Sequence, residues 1–107
     1  MDYRLYTLDN EFIRETNKFP LGFTGIIKWV DGSKFWLIEG KAHRTDGPAC
    51  EYSNGRKEWY VDNKRHRRDG PAIVWEDGIK YWYVDGKEVT ELQCRLLYDI
   101  MKLKGLL

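Results

Sequence analysis

What this sequence has little of narrows it before any motif does. No apolar run approaches the roughly 18 residues that a membrane-crossing helix needs. The opening stretch MDYRLYTLDNEF also lacks the basic-then-apolar layout of a signal peptide. A cytoplasmic protein with no membrane partner is expected. Cysteine is scarce. Cys50 and Cys94 are too few for a disulfide framework and lie in no CxxC or Cys/His cluster. Both read as reduced packing residues, and no metal and no cofactor are expected. An excess of one charge is missing too: 18 Lys and Arg stand against 17 Asp and Glu, for a formal net charge of +1. That removes the whole-molecule basic field of a duplex-binding protein and argues equally against an acidic mimic of nucleic acid. Charge-led recognition must come from a local patch. No P-loop, paired catalytic carboxylates or nucleophile–base–orienter set stands out, and Ser33 and Ser53 fall in turns. A protein that is not an enzyme is expected.

What is present is aromatic: 15% of 107 residues, five of them Trp. With 42% apolar and 33% charged residues the chain fits one domain, residues 1–107. The aromatics follow a repeat. HRTDGPA begins at His43 and HRRDGPA at His66, a spacing of 23, and everything downstream keeps it. Asn54-Gly55 matches Asp77-Gly78, Trp59-Tyr60-Val61 matches Trp82-Tyr83-Val84, and Asp62-Asn63-Lys64 matches Asp85-Gly86-Lys87. One interval earlier lie Asp31-Gly32, Trp36 and Glu39-Gly40-Lys41. The division is an N-terminal segment (1–19), three copies (20–42, 43–65 and 66–88) and a C-terminal stretch (89–107).

Each copy holds two hairpin signals, because Asp-Gly, Asn-Gly and similar pairs supply the positive φ of two-residue type I′ turns. Pairing outward from the first turn sets Trp29 opposite Lys34, Tyr52 opposite Lys57 and Trp75 opposite Lys80. One step on, Ile27 meets Trp36, Cys50 meets Trp59 and Ile73 meets Trp82. Pairing outward from the second turn sets Trp36 opposite His43 and Trp59 opposite His66. The expectation is a mainly β fold, an antiparallel meander of hairpin repeats. One regular face would carry the ladders Trp29/Tyr52/Trp75, Trp36/Trp59/Trp82 and Ile38/Val61/Val84. The other face, with Lys28/Glu51/Val74 and Phe35/Glu58/Tyr81, varies between copies and is expected to be more exposed.

Identical residues in every copy read as scaffold. Lys34, Lys57 and Lys80 each sit beside an aromatic, where an ammonium over a ring gains about 0.5–1 kcal/mol. His43 and His66 lack a carboxylate or thiolate at ligand spacing, so stacking on the Trp ladder is expected of them, not metal binding. Asp46 and Asp69, each before Gly-Pro, fit a turn in which the carboxylate caps backbone N–H groups.

After the third copy the pattern becomes helical. Thr90 and Gln93 form a capping box, Leu92, Leu96, Ile100 and Leu103 recur at helical spacing, and Gly105 is a stop signal. This capping α-helix is expected to cover the end of the array with that stripe. About 13 residues make a helix of about 20 Å, whereas six strands span about 30 Å. One helix therefore leaves part of the aromatic ladder uncovered, unless the N-terminal segment, with Tyr3, Leu5, Phe12 and Ile13, covers the first copy. Tyr3 to Leu8 reads as a strand, with a turn near Asp9-Asn10.

The unit GKxHRxDGPAxxxxxGxxxWYVDGK, between Gly40 and Lys87, resembles the variant MORN-type repeats of bacteriophage, large DNA virus and bacterial antitoxin-like proteins. The resemblance covers about Thr24 to Glu88. It implies a hairpin array used for protein contacts, often in small viral proteins that block a host factor. The chain departs from ordinary MORN repeats in lacking their regular Tyr-x-Gly and Gly-x-Gly spacing, so phospholipid binding is not carried over.

If matching positions build the scaffold, a partner is read at positions that differ. Lys64-Arg65-His66-Arg67-Arg68, against Lys41-Ala42-His43-Arg44-Thr45, is the clearest. The candidate partner-binding residues are Lys64, Arg65, Arg67, Arg68, Arg44, Glu58, Tyr60, Tyr81 and Tyr83. The expected partner is a host or cognate protein, which the chain would inhibit or adapt. The alternative is nucleic acid on the same basic edge with its neighbouring aromatics. A second copy of the chain is a further partner the residues allow.

Overall fold

The computed structural model describes residues 2–106, so Met1 and Leu107, the two ends of the expected domain, lie outside the described residues. Three copies of one pattern follow an N-terminal hairpin. That hairpin is β1 (Tyr3–Tyr6) and β2 (Phe12–Thr16). The first hairpins of the copies are β3 (Gly25–Trp29) with β4 (Lys34–Ile38), β6 (Cys50–Glu51) with β7 (Lys57–Glu58), and β10 (Ile73–Val74) with β11 (Lys80–Val84). The second hairpins join β4 to β5 (Lys41–Ala42), β8 (Tyr60–Val61) to β9 (Lys64–Arg65), and β11 to β12 (Lys87–Val89). Helix α1 (Glu91–Leu103) closes the chain. The main sheet runs β12-β11-β10-β7-β6-β4-β3-β1-β2, all antiparallel. The mainly β hairpin meander with a C-terminal helix is thus what forms, with β1, not β2, beside β3.

The second turns are the expected two-residue type. Both central residues take positive φ: 50° and 78° at Glu39-Gly40, 49° and 65° at Asp62-Asn63, 50° and 81° at Asp85-Gly86. His43 and His66 accordingly donate N–H to the carbonyls of Trp36 and Trp59, each at 3.1 Å. The first turns differ. Trp29, Tyr52 and Trp75 donate N–H to the carbonyls of Ser33, Arg56 and Ile79, all at 2.9 Å, which encloses three residues. Only the glycine is left-handed, with φ of 94°, 96° and 90° at Gly32, Gly55 and Gly78. This is a type I turn closed by a glycine bulge. The residue before the glycine holds it, since Asp31, Asn54 and Asp77 accept through Oδ1 from the N–H two residues on, at 2.8, 3.0 and 3.1 Å.

One extra loop residue moves the register by one and reverses which face each side chain takes. Ile27 pairs with Phe35, Cys50 with Glu58 and Ile73 with Tyr81, in place of the expected Trp36, Trp59 and Trp82. Lys34 pairs with Lys28, Lys57 with Glu51 and Lys80 with Val74. The expected single Trp face is therefore two faces. The front carries Trp29, Tyr52 and Trp75, and beside them the row Leu5, Ile27, Phe35, Cys50, Glu58, Ile73, Tyr81. The back carries Trp36, Trp59 and Trp82. The expectation that Phe35, Glu58 and Tyr81 line an exposed face fails at Glu58, which is 1% exposed.

The densest core lies under the first copy, where Leu5, Ile27 and Leu37 are buried against Tyr3, Phe23, Trp29 and Ala42. The N-terminal hairpin builds it with the turn used by the repeats: Thr7 donates to Glu11 O at 2.8 Å, Asn10 to Thr7 O at 2.9 Å, and Asn10 is left-handed. It acts as a further first hairpin.

The capping box forms as expected: Thr90 Oγ1 accepts from Gln93 N, and Gln93 Oε1 accepts from Thr90 N. The docking face is not the expected one. Cys94 is buried and Tyr98 and Met101 are half-buried, whereas Leu92, Leu96, Ile100 and Leu103 are 63%, 52%, 47% and 87% exposed. A small Cys permits close approach, and its thiol donates toward the carbonyl of Arg67 at 3.5 Å. Among the described residues no helix is long and apolar enough to cross a membrane.

A Cβ at Gly78 would meet nothing within 4 Å, so only backbone strain resists it. Gly78→Ala is expected to cost about 1 kcal/mol and Gly78→Asn less than half of that, measured by denaturant unfolding.

Candidate partner-binding surface

The HRxDGPA segment is the joint between copies. Its histidine receives the second turn of its own copy: Asp62 N donates to His43 Nδ1 at 3.1 Å and Asp85 N to His66 Nδ1 at 2.9 Å. A nitrogen that accepts a hydrogen bond carries no proton, so the Asp85 carboxylate 3.4 Å from His66 Nδ1 faces a neutral ring. Burial holds the His66 pKa below its ordinary value, with Arg68 adding to the effect and Asp85 opposing it.

The arginine forks. Arg44 donates from Nε to Asp46 at 2.9 Å and from Nη1 to the Pro48 carbonyl at 3.1 Å, and Arg67 does the same to Asp69 and Pro71 at 3.0 and 3.1 Å. Asp46 and Asp69 thus receive a guanidinium where a cap on backbone N–H groups was expected. The hydrogen bond and charge of Arg44 lower the Asp46 pKa. The flat side of each guanidinium lies on the Trp of the preceding hairpin, Arg44 at 3.8 Å from the Trp36 ring centre and Arg67 at 4.0 Å from that of Trp59. The closing alanines, Ala49 and Ala72, are fully buried between Trp36, Trp59 and Trp82 in the back row. Arg44 and Arg67, expected at a partner surface, are therefore occupied inside the array. The expected lysine–ring contacts are made by other cations: among the described residues Lys28, Arg44, Arg56, Arg65 and Arg67 lie over rings, and Lys34, Lys57 and Lys80 do not.

The end of β9 at Arg65 breaks up the basic run. Arg65, paired with Tyr60, goes to the front, Arg67 goes to the back, Lys64 stays exposed at the tight turn, and Arg68 lines a groove with Trp82, Cys94, Arg95 and Tyr98. The front gathers Glu58, Tyr60, Arg65, Tyr81 and Tyr83. Buried Glu58 accepts from the Tyr60 hydroxyl at 2.8 Å and from Arg65 Nε at 3.4 Å, and its other oxygen pairs with Arg56. Burial, with the Glu58 hydrogen bond second, raises the Tyr60 pKa. Arg56 lies between two rings, 4.9 Å from Tyr52 and 4.3 Å from Trp75, and Arg65 lies 5.4 Å from Tyr83.

The two ends of the front differ in cover. In the first copy Tyr3 packs edge-on to Trp29 at 4.6 Å and to Phe19 at 6.2 Å. In the third copy Trp75, Ile79 and Tyr81 are 37%, 51% and 40% exposed. Trp75, Ile79 and Arg56 were missing from the expected site. One signal was available: an apolar Ile79 stands where the other copies have Ser33 and Arg56.

Both thiols are free and buried, and burial pushes the Cys50 pKa up to about 12. Among the described residues no group of three or more His, Cys, Asp and Glu is placed to hold a metal ion. Comparisons with family models, curated proteins and solved structures found no match.

Arg67→Gln is expected to cost about 2 kcal/mol, for one charge-assisted fork and one stacked ring, whereas exposed Arg68→Gln should stay within about 0.5 kcal/mol; chemical denaturation compares them. Because the folded pKa of His66 is depressed, its contribution is full above about pH 6.5 and is lost as pH falls through the folded value. Stability should drop below pH 6.5, and His66→Asn should flatten that part of the profile.

Proposed function

We propose that the chain is a non-enzymatic protein-binding repeat module that acts by occupying a partner's surface through the front of its third copy. The observation that carries this reading is the uncovered patch of Trp75, Ile79 and Tyr81, flanked by Arg56 and Arg65 on ring faces. Trp, Tyr and Arg are the residues that dominate interface energies, and a patch on a rigid sheet binds without ordering a loop first. Both guanidiniums contact Glu58, whose one carboxylate offsets one of the two positive charges, so the patch is mainly aromatic with little excess charge. That suits a protein surface better than a phosphate backbone. A host or cognate protein, blocked by this contact in a reducing cytoplasm, is the partner class that fits the free thiols and the repeat type.

Capture from a lysate of the native host, followed by native mass spectrometry, should yield a stoichiometric complex. Trp75→Ser with Tyr81→Ser should abolish it while circular dichroism stays unchanged; retention of the complex by that variant would remove the patch from the proposal.

One observation favours nucleic acid as a second reading, at a different place from the basic edge first expected. Arg4, Lys28, Lys34, Lys57 and Lys80 fall in one row across the back, interrupted by Glu51 and Val74. This reading requires labelled single-stranded DNA or RNA to bind at low salt and to release steeply as salt rises. No binding at low salt ends it.

A further inference from the structure

Helix α1 carries more apolar surface than the array uses. Cys94, Tyr98 and Met101 turn inward, and the exposed residues Leu92, Leu96, Ile100 and Leu103 form one continuous stripe at i, i+4, i+8 and i+11. Leu97 and Leu106, 42% and 57% exposed, widen it. A stripe of this width on a monomer marks a contact.

The residues beside the stripe say with what. Along one flank run Glu91, Arg95, Asp99 and Lys102, so the signs alternate negative, positive, negative, positive. Read from the other end, the same series is positive, negative, positive, negative. We propose that α1 pairs with α1 of a second copy, antiparallel about a two-fold axis, with Leu96 against Ile100 near the axis and Leu92 against Leu103 outside them. An antiparallel pair brings the same flank of both helices together. Glu91 of one copy then meets Lys102 of the other, and Arg95 meets Asp99, in all four positions with opposite sign. A parallel pair would set this flank against the other one, where Gln93 and Lys104 offer no such complement. The antiparallel arrangement also opposes the two helix dipoles favourably. The Glu91–Arg95 pair within one helix, 3.2 Å long and with both side chains more than half exposed, remains open to these additional partners. A contact of one short helix from each side is smaller than the interface of a permanent dimer, so a concentration-dependent equilibrium is expected, with Kd on the order of micromolar.

Sedimentation equilibrium of the full chain over rising concentration tests this. Monomer should convert to dimer, and Leu96→Glu, at an exposed position that does not disturb folding, should weaken association more than tenfold. Arg95→Asp and Asp99→Arg should each weaken it several-fold, and the two together should restore it. A chain that stays monomeric at the highest concentration overturns the proposal, as does a dimer indifferent to Leu96→Glu. A chain that remains monomeric but cosediments with phosphatidylcholine–phosphatidylserine vesicles assigns the stripe to a lipid surface and overturns it too. Failure of the combined charge swap to restore association rules out the antiparallel pairing.

Discussion

The array depends on a guanidinium lying across an indole. Six of its strands have only two residues, far too short to be stable as isolated hairpins. What joins them into one array is the segment between copies, where Arg44 and Arg67 cover the Trp of the hairpin before and fasten their own loop through Asp and a carbonyl. The back row is shaped for this. Trp36, Ala49, Trp59, Ala72 and Trp82 alternate large and small, so each indole has a flat place and each arginine a flat ring. The histidine beside each arginine then receives the tight second turn of its own copy through Nδ1. Asp-Gly-Pro makes the loop short enough for one arginine to reach both its ends.

The same interaction explains where the array stops. One interval after Arg67 the chain has Thr90, which cannot cover Trp82. Thr90 instead caps α1, and the groove along Trp82 is closed by Cys94, Arg95 and Tyr98. The helix therefore begins at the residue where a further joint would have formed. Its docking face is chosen by that groove: only a small side chain such as Cys94 fits against the carbonyls of Arg67, Arg68 and Gly70. The larger leucines are left outside.

This is also why the fold was legible in the residues and its faces were not. The repeat, the second turns and the capping box rest on local chemistry that residue types specify directly: two adjacent left-handed positions, a Thr and a Gln three apart. The first turns share the letters Asp-Gly with a two-residue turn but enclose three residues, and the choice depends on Oδ1 bonds that the letters do not show. A one-residue difference is invisible in the spacing of 23, yet it transfers Trp29, Tyr52 and Trp75 to the opposite side from Trp36, Trp59 and Trp82. The basic run failed as a site for a related reason. Alternation along an unbroken strand would put Arg65 and Arg67 on one face, but β9 ends at Arg65 and Arg67 lies in the loop that folds over Trp59, so the two contribute to different surfaces.

Glu58 is the residue for which scaffold alone offers no account. Phe35 and Tyr81 occupy its place in the other copies, and an aromatic there would continue the front row without a desolvation cost. A buried carboxylate flanked by two guanidiniums is often no more stable than an apolar residue of similar volume. What Glu58 does supply is position. It holds Arg56 between Tyr52 and Trp75 and Arg65 by Tyr83, so that two long cationic side chains lose their freedom in the unbound protein. A partner meeting that surface would find the arginines already placed and their ordering entropy already spent. The one charged residue in that row thus acts on the exposed third-copy end of the front, and it is this coincidence that joins the repeat's architecture to a binding role.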